Sequence, residues 1–567
     1  MKRMQKSKQI SVMFLTIFFS ILIMGCNPGK EEMKQELVKF IEKFESKVVE
    51  LSKEANLAYF EATISGKDED YQKAADLQVK LSKIYANKED FALLKRIKES
   101  NSITDELLKR QLDKLFLAFQ GYQIDEEKLE KIINLQTEIE KKYSTFRAEV
   151  NGRKLTDNQV EEILKNSKDL VELEKAWIAH KAIGDVVVDD VLKLVKMRNE
   201  VASELGFKSY HQMSLKLNEQ DPEEIQKLFD ELDQLTLPMF KQLKNDIDEY
   251  LSGRLNVTKE NLMPWHYQNR FFQEAPKIYS VDLDSYYKDK DLVKITEEYY
   301  AGIGLPIDDL IKNSDLFEKE GKYQHAYCTD IDREGDVRVV CNVKPNYNWM
   351  NTMLHEYGHA VYDKFFDYSL PWVLREPAHT FTTEAIAMLF GRLASNPKWM
   401  KDVLQITDSE MVKISEDNFK SLRLEQLIFS RWVQVVYRFE KSMYENPDQD
   451  LSKLWWDLVE KYQMLKRPEG RNEPDWVTKI HIALYPAYYH NYMLGELLAS
   501  QFHFYLTDKI LKSNDLKNQS YAGNKAVGKY LNDKIFNVAS KYYWNDMIEK
   551  ATGEKLTAKY YAKQFVE

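Results

Sequence analysis

His355, Glu356 and His359 stand within "MLHEYGHAVYDKFF", residues 353–366. On an α-helix, side chains four apart share one face, so both imidazoles can reach a single metal ion. Glu356 lies at the edge of that face, where a carboxylate can take a proton from water activated by the metal. The alternative is an amphipathic helix whose histidines only line a core. A catalytic zinc takes three protein ligands and leaves a fourth position open, so the metal reading requires one more donor. "FTTEAIAMLFGRL" supplies Glu384, 25 residues after His359, at the start of a second apolar-periodic segment. A helix, a loop and a second helix would return that carboxylate to the metal; an ordinary first-turn acid favoured by the helix dipole is the alternative. One Zn2+ ion held by His355, His359 and Glu384 is the expectation.

A second concentration of reactive side chains is "KIHIALYPAYYHNYMLGELLASQFH", residues 479–503, with one Lys, three His and four Tyr before it turns apolar. Hydrolysis of a peptide puts negative charge on the carbonyl oxygen, and a neutral Tyr or His donor aimed there stabilises it. Aromatic packing with satisfied hydroxyls would produce the same composition.

These segments need a scaffold, and most of the chain reads as helix. Residues 33–64 repeat apolar side chains at Leu37, Ile41, Phe44, Val48 and Leu51, the spacing of one helix face. Similar patterns run through "YQKAADLQVKLSKIY", "ITDELLKRQLDKLFLAF" and "EKLEKIINLQTEIEKKYSTFRAEV". "HAYCTDIDREGDVRVVCNV", residues 325–343, alternates instead and carries a Gly in a charged turn, the signature of a β-hairpin. Centring that turn on Glu334 and Gly335 sets Cys328 opposite Cys341. Opposed residues lie roughly 4.5–5.5 Å apart at Cα, a distance that a disulfide tolerates. The cysteines either pair in this way or stay free and buried; the expectation is a Cys328–Cys341 disulfide.

Hydrophobic residues make up 44% of the 567 and charged residues 30%, a globular rather than a disordered balance. The net charge of -10 argues against a nucleic-acid partner, which would need concentrated Lys and Arg. The N-terminus is a targeting segment: basic "MKRMQKSK", then the 15-residue apolar "ISVMFLTIFFSILIM", too short for a comfortable span. Its end, "IMGC", resembles the lipobox of bacterial lipoproteins. Residues 1–25 would then be the signal peptide and Cys26 the lipidated residue, leaving 26–567 exported and anchored to a membrane. An uncleaved N-terminal anchor is the alternative.

Together the chemical motifs resemble the angiotensin-converting-enzyme family of gluzincin peptidyl-dipeptidases. "LHEYGHAVYDKFF", "LREPAHTFTTEAIAMLFGRLASNP", "LWWDLVEKYQ" and "KIHIALYPAYYHNYMLGELLASQFH" follow the family's order. The hairpin and "EANLAYFEATISG" fit more loosely, and the similarity covers most of residues 35–560. The resemblance implies a largely helical, two-lobed fold with a deep channel, a small sheet beside the HExxH helix, and N-terminal helices over about residues 33–150 restricting entry. It implies zinc at His355, His359 and Glu384, and Glu356 as general base and proton shuttle. Tyr492 and His481 would stabilise the tetrahedral intermediate. Lys479 and Tyr489, with Gln268, would hold a substrate's C-terminal carboxylate. His325 and the backbone of Ala326 would pair with the bound oligopeptide as an added strand.

Three departures are visible. Glu384 follows His359 by one residue more than in close family members, a spacing shared with thimet oligopeptidases. Met388 stands where the family commonly has an aspartate. Animal members are activated by chloride through sites built partly on arginines, and the matching positions here are Asn491 and Val459. The activity expected is release of C-terminal dipeptides from oligopeptides. A thimet-type endo-oligopeptidase and a catalytically silent peptide-binding lipoprotein are the alternatives.

Overall fold

Asn346 starts the HExxH helix: its side-chain oxygen accepts the backbone N–H of Trp349 at 2.9 Å, and the helix runs Tyr347–Lys364. Such a cap satisfies one of the donors that a helix N-terminus leaves open. In the computed structural model, which describes residues 28–279 and 281–567, this helix lies deep in a mostly α-helical architecture. Among the described residues the only sheets are two two-stranded hairpins. No helix there is long and apolar enough to cross a membrane. The expected signal peptide, residues 1–25, and Cys26 lie outside the described residues.

Two large bodies of apolar packing divide the described residues, with a small third cluster of Phe60, Ile331 and Val340 joining the first helix to the hairpin. The first four helices, Pro28–Ser65, Asp68–Tyr85, Lys88–Glu99 and Glu106–Gly121, share a core of their own. Leu37, Phe44, Val48, Leu94 and Phe119 form it, closed by Trp372 and Val373 from the loop after the HExxH helix. Burying a Leu or Phe completely contributes about 1.5–3 kcal/mol, so this layer carries substantial packing of its own. The single helix read over 33–64 is present as Pro28–Ser65. The next helix, Glu126–Thr145, places Ile132, Leu135 and Ile139 in the larger second core, which continues to the C-terminal helices.

The HExxH helix and the helix Thr380–Gly391 cross at very close range. A Cβ on Gly358 would lie 2.7 Å from the Cα of Ala387, so only glycine permits the crossing. His379 caps the second helix through Nδ1, which accepts the N–H of Phe381 at 3.1 Å, while its Nε2 donates to the carbonyl of Asn218 at 2.9 Å. A third helix, His490–Tyr505, packs on the second with similar closeness. There a Cβ on Gly495 would lie 3.3 Å from Glu384 Cβ and 3.1 Å from Met388 Sδ.

The hairpin before the HExxH helix pairs Tyr327–Asp330 with Val337–Val340. Its register corrects the disulfide expectation: Cys328 faces Val339, and both cysteines are free thiols. The Asp330 carboxylate accepts the backbone N–H of Asp332 and Arg333, and that of Asp332 accepts from Glu334 and Asp336. This wraps a loop closed by Ile331 N–H to Asp336 C=O at 2.8 Å, displacing the turn centre by one residue. Cys341 becomes a diagonal neighbour of Cys328, and diagonal neighbours sit roughly 7–8 Å apart, past a disulfide's reach.

Candidate metal centre and cleft

The crossing of the first two helices gathers His355, His359 and Glu384. Each offers one ligand atom, all within 4.8 Å of one another. Nε2 of His355 and of His359 lie 3.7 and 3.8 Å from the same Glu384 oxygen. Zinc bonds of about 2.0–2.2 Å in a tetrahedron put ligand atoms roughly 3.3–3.6 Å apart, so small side-chain adjustments suffice. The imidazoles stand nearly perpendicular, at 81°. Nδ1 of His359 and the hydroxyl of Thr383 share a hydrogen bond of 2.8 Å, which holds the ring with Nε2 toward the cluster. Thr383, adjacent to Glu384, was not singled out from the sequence.

Burial sets the charge state of this group. It lowers His355 to about 4, and together with His355 it holds His359 well below the ordinary imidazole range. Both rings are therefore neutral at pH 7, with lone pairs free to ligate. Burial raises Glu384 to about 7. Burial first, and Glu384 next, push Glu356 up to about 8. Two acids and two neutral imidazoles thus share a pocket in which only a cation would favour the ionised carboxylates. The donor set fits a zinc ion. With 27% of the His355 side chain and 18% of Glu384 exposed, the cluster remains open to a substrate.

A cavity of about 380 Å³ adjoins it, lined by His481, Tyr489 and Tyr492 with Gln273, Met388 and Glu496. Tyr492 begins the third helix; its phenol is made less acidic by burial and by the nearby Glu384. His481 stacks edge-on to Tyr489, with ring centroids 5.2 Å apart, and its buried Nδ1 has no partner. Its pKa is lowered to about 4, by burial and then by Lys479, so it is a neutral donor or acceptor. Lys479 sits among the rings of Phe271, Trp432 and Tyr489, at 5.3, 5.8 and 5.5 Å from their centroids. Its ammonium donates to Gln273 Oε1 at 2.7 Å.

Gln268 is not brought to this cavity. Its Nε2 donates to the carbonyl of Lys165 and its Oε1 accepts from Lys277 N–H, both at 3.0 Å, so the side chain is used up in holding a loop. Gln273, five residues on, takes the place beside Lys479 that was expected of Gln268. His325 is exposed against Tyr323, and Ala326 leads directly into the strand Tyr327–Asp330. Among the described residues that strand pairs on one edge only, so its other edge carries no strand.

Two crossing helices presenting two neutral imidazoles and a carboxylate beside an aromatic cleft define a helical metallopeptidase site. Residues 31–268 and 272–565 match the family described as angiotensin-converting enzyme. An angiotensin-converting enzyme of Theromyzon tessulatum is 23% identical over 494 residues, covering 81% of this chain and 79% of that protein. An inactive angiotensin-converting enzyme-related protein of Caenorhabditis elegans is 21% identical over 369 residues, covering 57% of this chain and 40% of that one. The chain belongs to the angiotensin-converting enzyme family, and it is a zinc metallopeptidase of that kind.

Proposed function

We propose that the protein releases dipeptides from the C-terminus of oligopeptides. The observation that carries this reading is Lys479. Its ammonium is buried, neighbours three aromatic rings and bonds a neutral amide, and among the described residues it forms no salt bridge. A buried charge without a counter-ion is costly, and a substrate carboxylate would supply one. Tyr489 lines the cleft with its ring 5.5 Å from the Lys479 ammonium, and would share that carboxylate.

When bound by His355, His359 and Glu384, zinc supplies Lewis acidity, lowering the pKa of water and polarising the scissile carbonyl. Glu356 takes the proton of the attacking water and passes it to the leaving amine. Tyr492 and His481 donate to the carbonyl oxygen as negative charge develops. The unpaired edge beside Ala326 and His325 would hold the peptide main chain as an added strand. The separate core of the first four helices supports their acting as a lid. Retention of Glu356 with all three ligands argues against a silent peptide binder.

Product analysis of matched peptides with free and amidated C-termini tests the assignment. Dipeptides should appear from the free peptide, with amidation slowing cleavage on the order of 10²-fold, as for a buried charge left unpaired. Equal internal cleavage of both would establish the endo-oligopeptidase reading instead, and no cleavage of either would leave a binding protein. We also infer export and lipid anchoring through Cys26, from the basic and apolar leader ending in "IMGC". Fatty-acid labelling that survives Cys26→Ala would overturn it.

A further inference from the structure

A second cavity, of about 230 Å³, shares no lining residue with the cleft. The ion pair of Arg392 and Glu496 stands between them: Arg392 lines the second cavity and Glu496 the first. Much of its wall is apolar, with Leu389, Leu393 and Phe565 buried. Three polar atoms on lining residues are buried without a partner: Arg392 Nε, Asn518 Oδ1 and Gln564 Oε1. Buried polar groups are almost always satisfied, so one donor and two acceptors left unpaired on residues that line the cavity call for a complementary guest toward which these side chains would turn, since none of the three atoms is open to the cavity as it stands. The apolar walls favour a guest with an apolar part.

Lys517 lines this cavity from an exposed position, and Arg423 lies beside it. Both cations sit over the ring of Phe419, at 5.6 and 4.6 Å from its centroid. Among the described residues neither makes a salt bridge, and Glu567 acts on Lys517 only from beyond contact distance. The entrance therefore favours an anion. The volume equals that of about seven or eight waters at roughly 30 Å³ each, smaller than the ~300–1,000 Å³ of drug-sized sites.

We propose that this cavity binds a small hydrophobic amino acid joined through a secondary amide, with its carboxylate free. The carboxylate pairs with Lys517 and Arg423, and the side chain packs on Leu389, Leu393 and Phe565. The amide N–H donates to Asn518 or Gln564, and the amide carbonyl accepts from Arg392 Nε. A released dipeptide belongs to this class; that link alone rests on the proposed activity.

The probe is N-acetyl-L-leucine, titrated by calorimetry into the zinc-loaded full chain, with peptide cleavage measured separately. The expected result is a saturable site that persists in Lys479→Ala, where the carboxylate hold of the cleft is removed, and that is at least tenfold weaker for N-acetyl-leucinamide, which lacks the charge, and for 4-methylpentanoate, which lacks the amide. Lys517→Ala should weaken binding of the acid tenfold or more while leaving cleavage unchanged. Ser415→Trp, which fills the cavity, should abolish binding. Should that variant not fold, Lys517→Ala decides alone, because its side chain is at the surface. Binding that Lys517→Ala leaves unchanged, equal binding of all three probes, or no binding at about 10 mM, overturns the proposal. An inactive wild type that still binds the probe would overturn the peptidase reading and leave this one standing.

Discussion

At the scale of single residues, Glu356 divides binding from chemistry. It lies beside a ligand but is not one of the three donors. Glu356→Gln keeps the shape and removes the base, so it should retain one zinc per chain and lose on the order of 10²–10⁴ in kcat. Metal analysis and initial rates check this; loss of zinc in the variant would make Glu356 a ligand. Lys479 sets a pH limit of its own. Burial first, and Arg270 next, push its pKa down to about 8. A lysine with a lowered pKa is charged below that value and neutral above it, so its hold on a carboxylate is lost as pH rises through about 8. The kcat/KM of a free-carboxylate peptide should fall on that limb. Lys479→Arg, which stays charged, should not show it; the same limb in the arginine variant would assign the titration elsewhere. The metal residues and the catalytic aromatics were legible because helical spacing and ligand chemistry are written locally. Gln273 and Thr383 were not, because a glutamine reaching Lys479 and a threonine holding a ring depend on contacts across the fold.

At the scale of elements, close crossings by glycine hold the metal cluster together. Gly358 sits inside the HExxH motif, and a Cβ there would meet the backbone of Ala387, which cannot rotate away. Alanine favours a helix over glycine by about 1 kcal/mol, but overpacking a close contact costs about 1–3 kcal/mol. The overlap should win. Gly358→Ala is expected to lower stability in urea and to weaken zinc binding by moving Glu384 away from the histidines. Wild-type zinc affinity in a chelator competition would mean that the crossing does not position the ligands. The hairpins show the limits of reading elements from sequence. Alternation located the strands around Cys328 and Cys341, but the Asp330 and Asp332 side chains moved the turn, and with it the register. The hairpin Ala148–Val150 with Arg153–Leu155 went unread, although Asn151 and Gly152 both take positive φ between paired strands. Asn-Gly at a two-residue turn is a strong hairpin signal, masked here by the helical rhythm leading into it.

At the scale of the whole molecule, the positions that match the arginines of chloride-activated relatives are occupied by neutral residues, and the surrounding charges are already matched. Asn491 is buried, and its Oδ1 accepts from Gln220 Nε2 at 2.7 Å. The same Gln220 takes the Nε2–H of His490 at 2.7 Å. Burial, His211 and His379 hold His490 well below the ordinary range, so it brings no positive charge at neutral pH. Near Val459, a carboxylate of the chain itself is in place. Arg471 pairs with Asp475 through two bonds of 2.7 and 2.6 Å, and Trp456 Nε1 donates to the same group at 3.2 Å. Lys181, which lines a small cavity together with Val459, Arg270 and Asp475, is pushed down to about 7 by burial, and Arg270 is bonded to Glu161 at 2.6 Å. An anion entering there would meet Asp475 and no unpaired arginine, and desolvating it without a fixed positive partner costs several kcal/mol. Activity should therefore not require chloride. The comparison is kcat/KM in chloride-free acetate against chloride at matched ionic strength, so that screening is held constant. Agreement within about twofold is expected, and activation of about tenfold or more, roughly 1.4 kcal/mol, would show that another cation in this chain holds the ion.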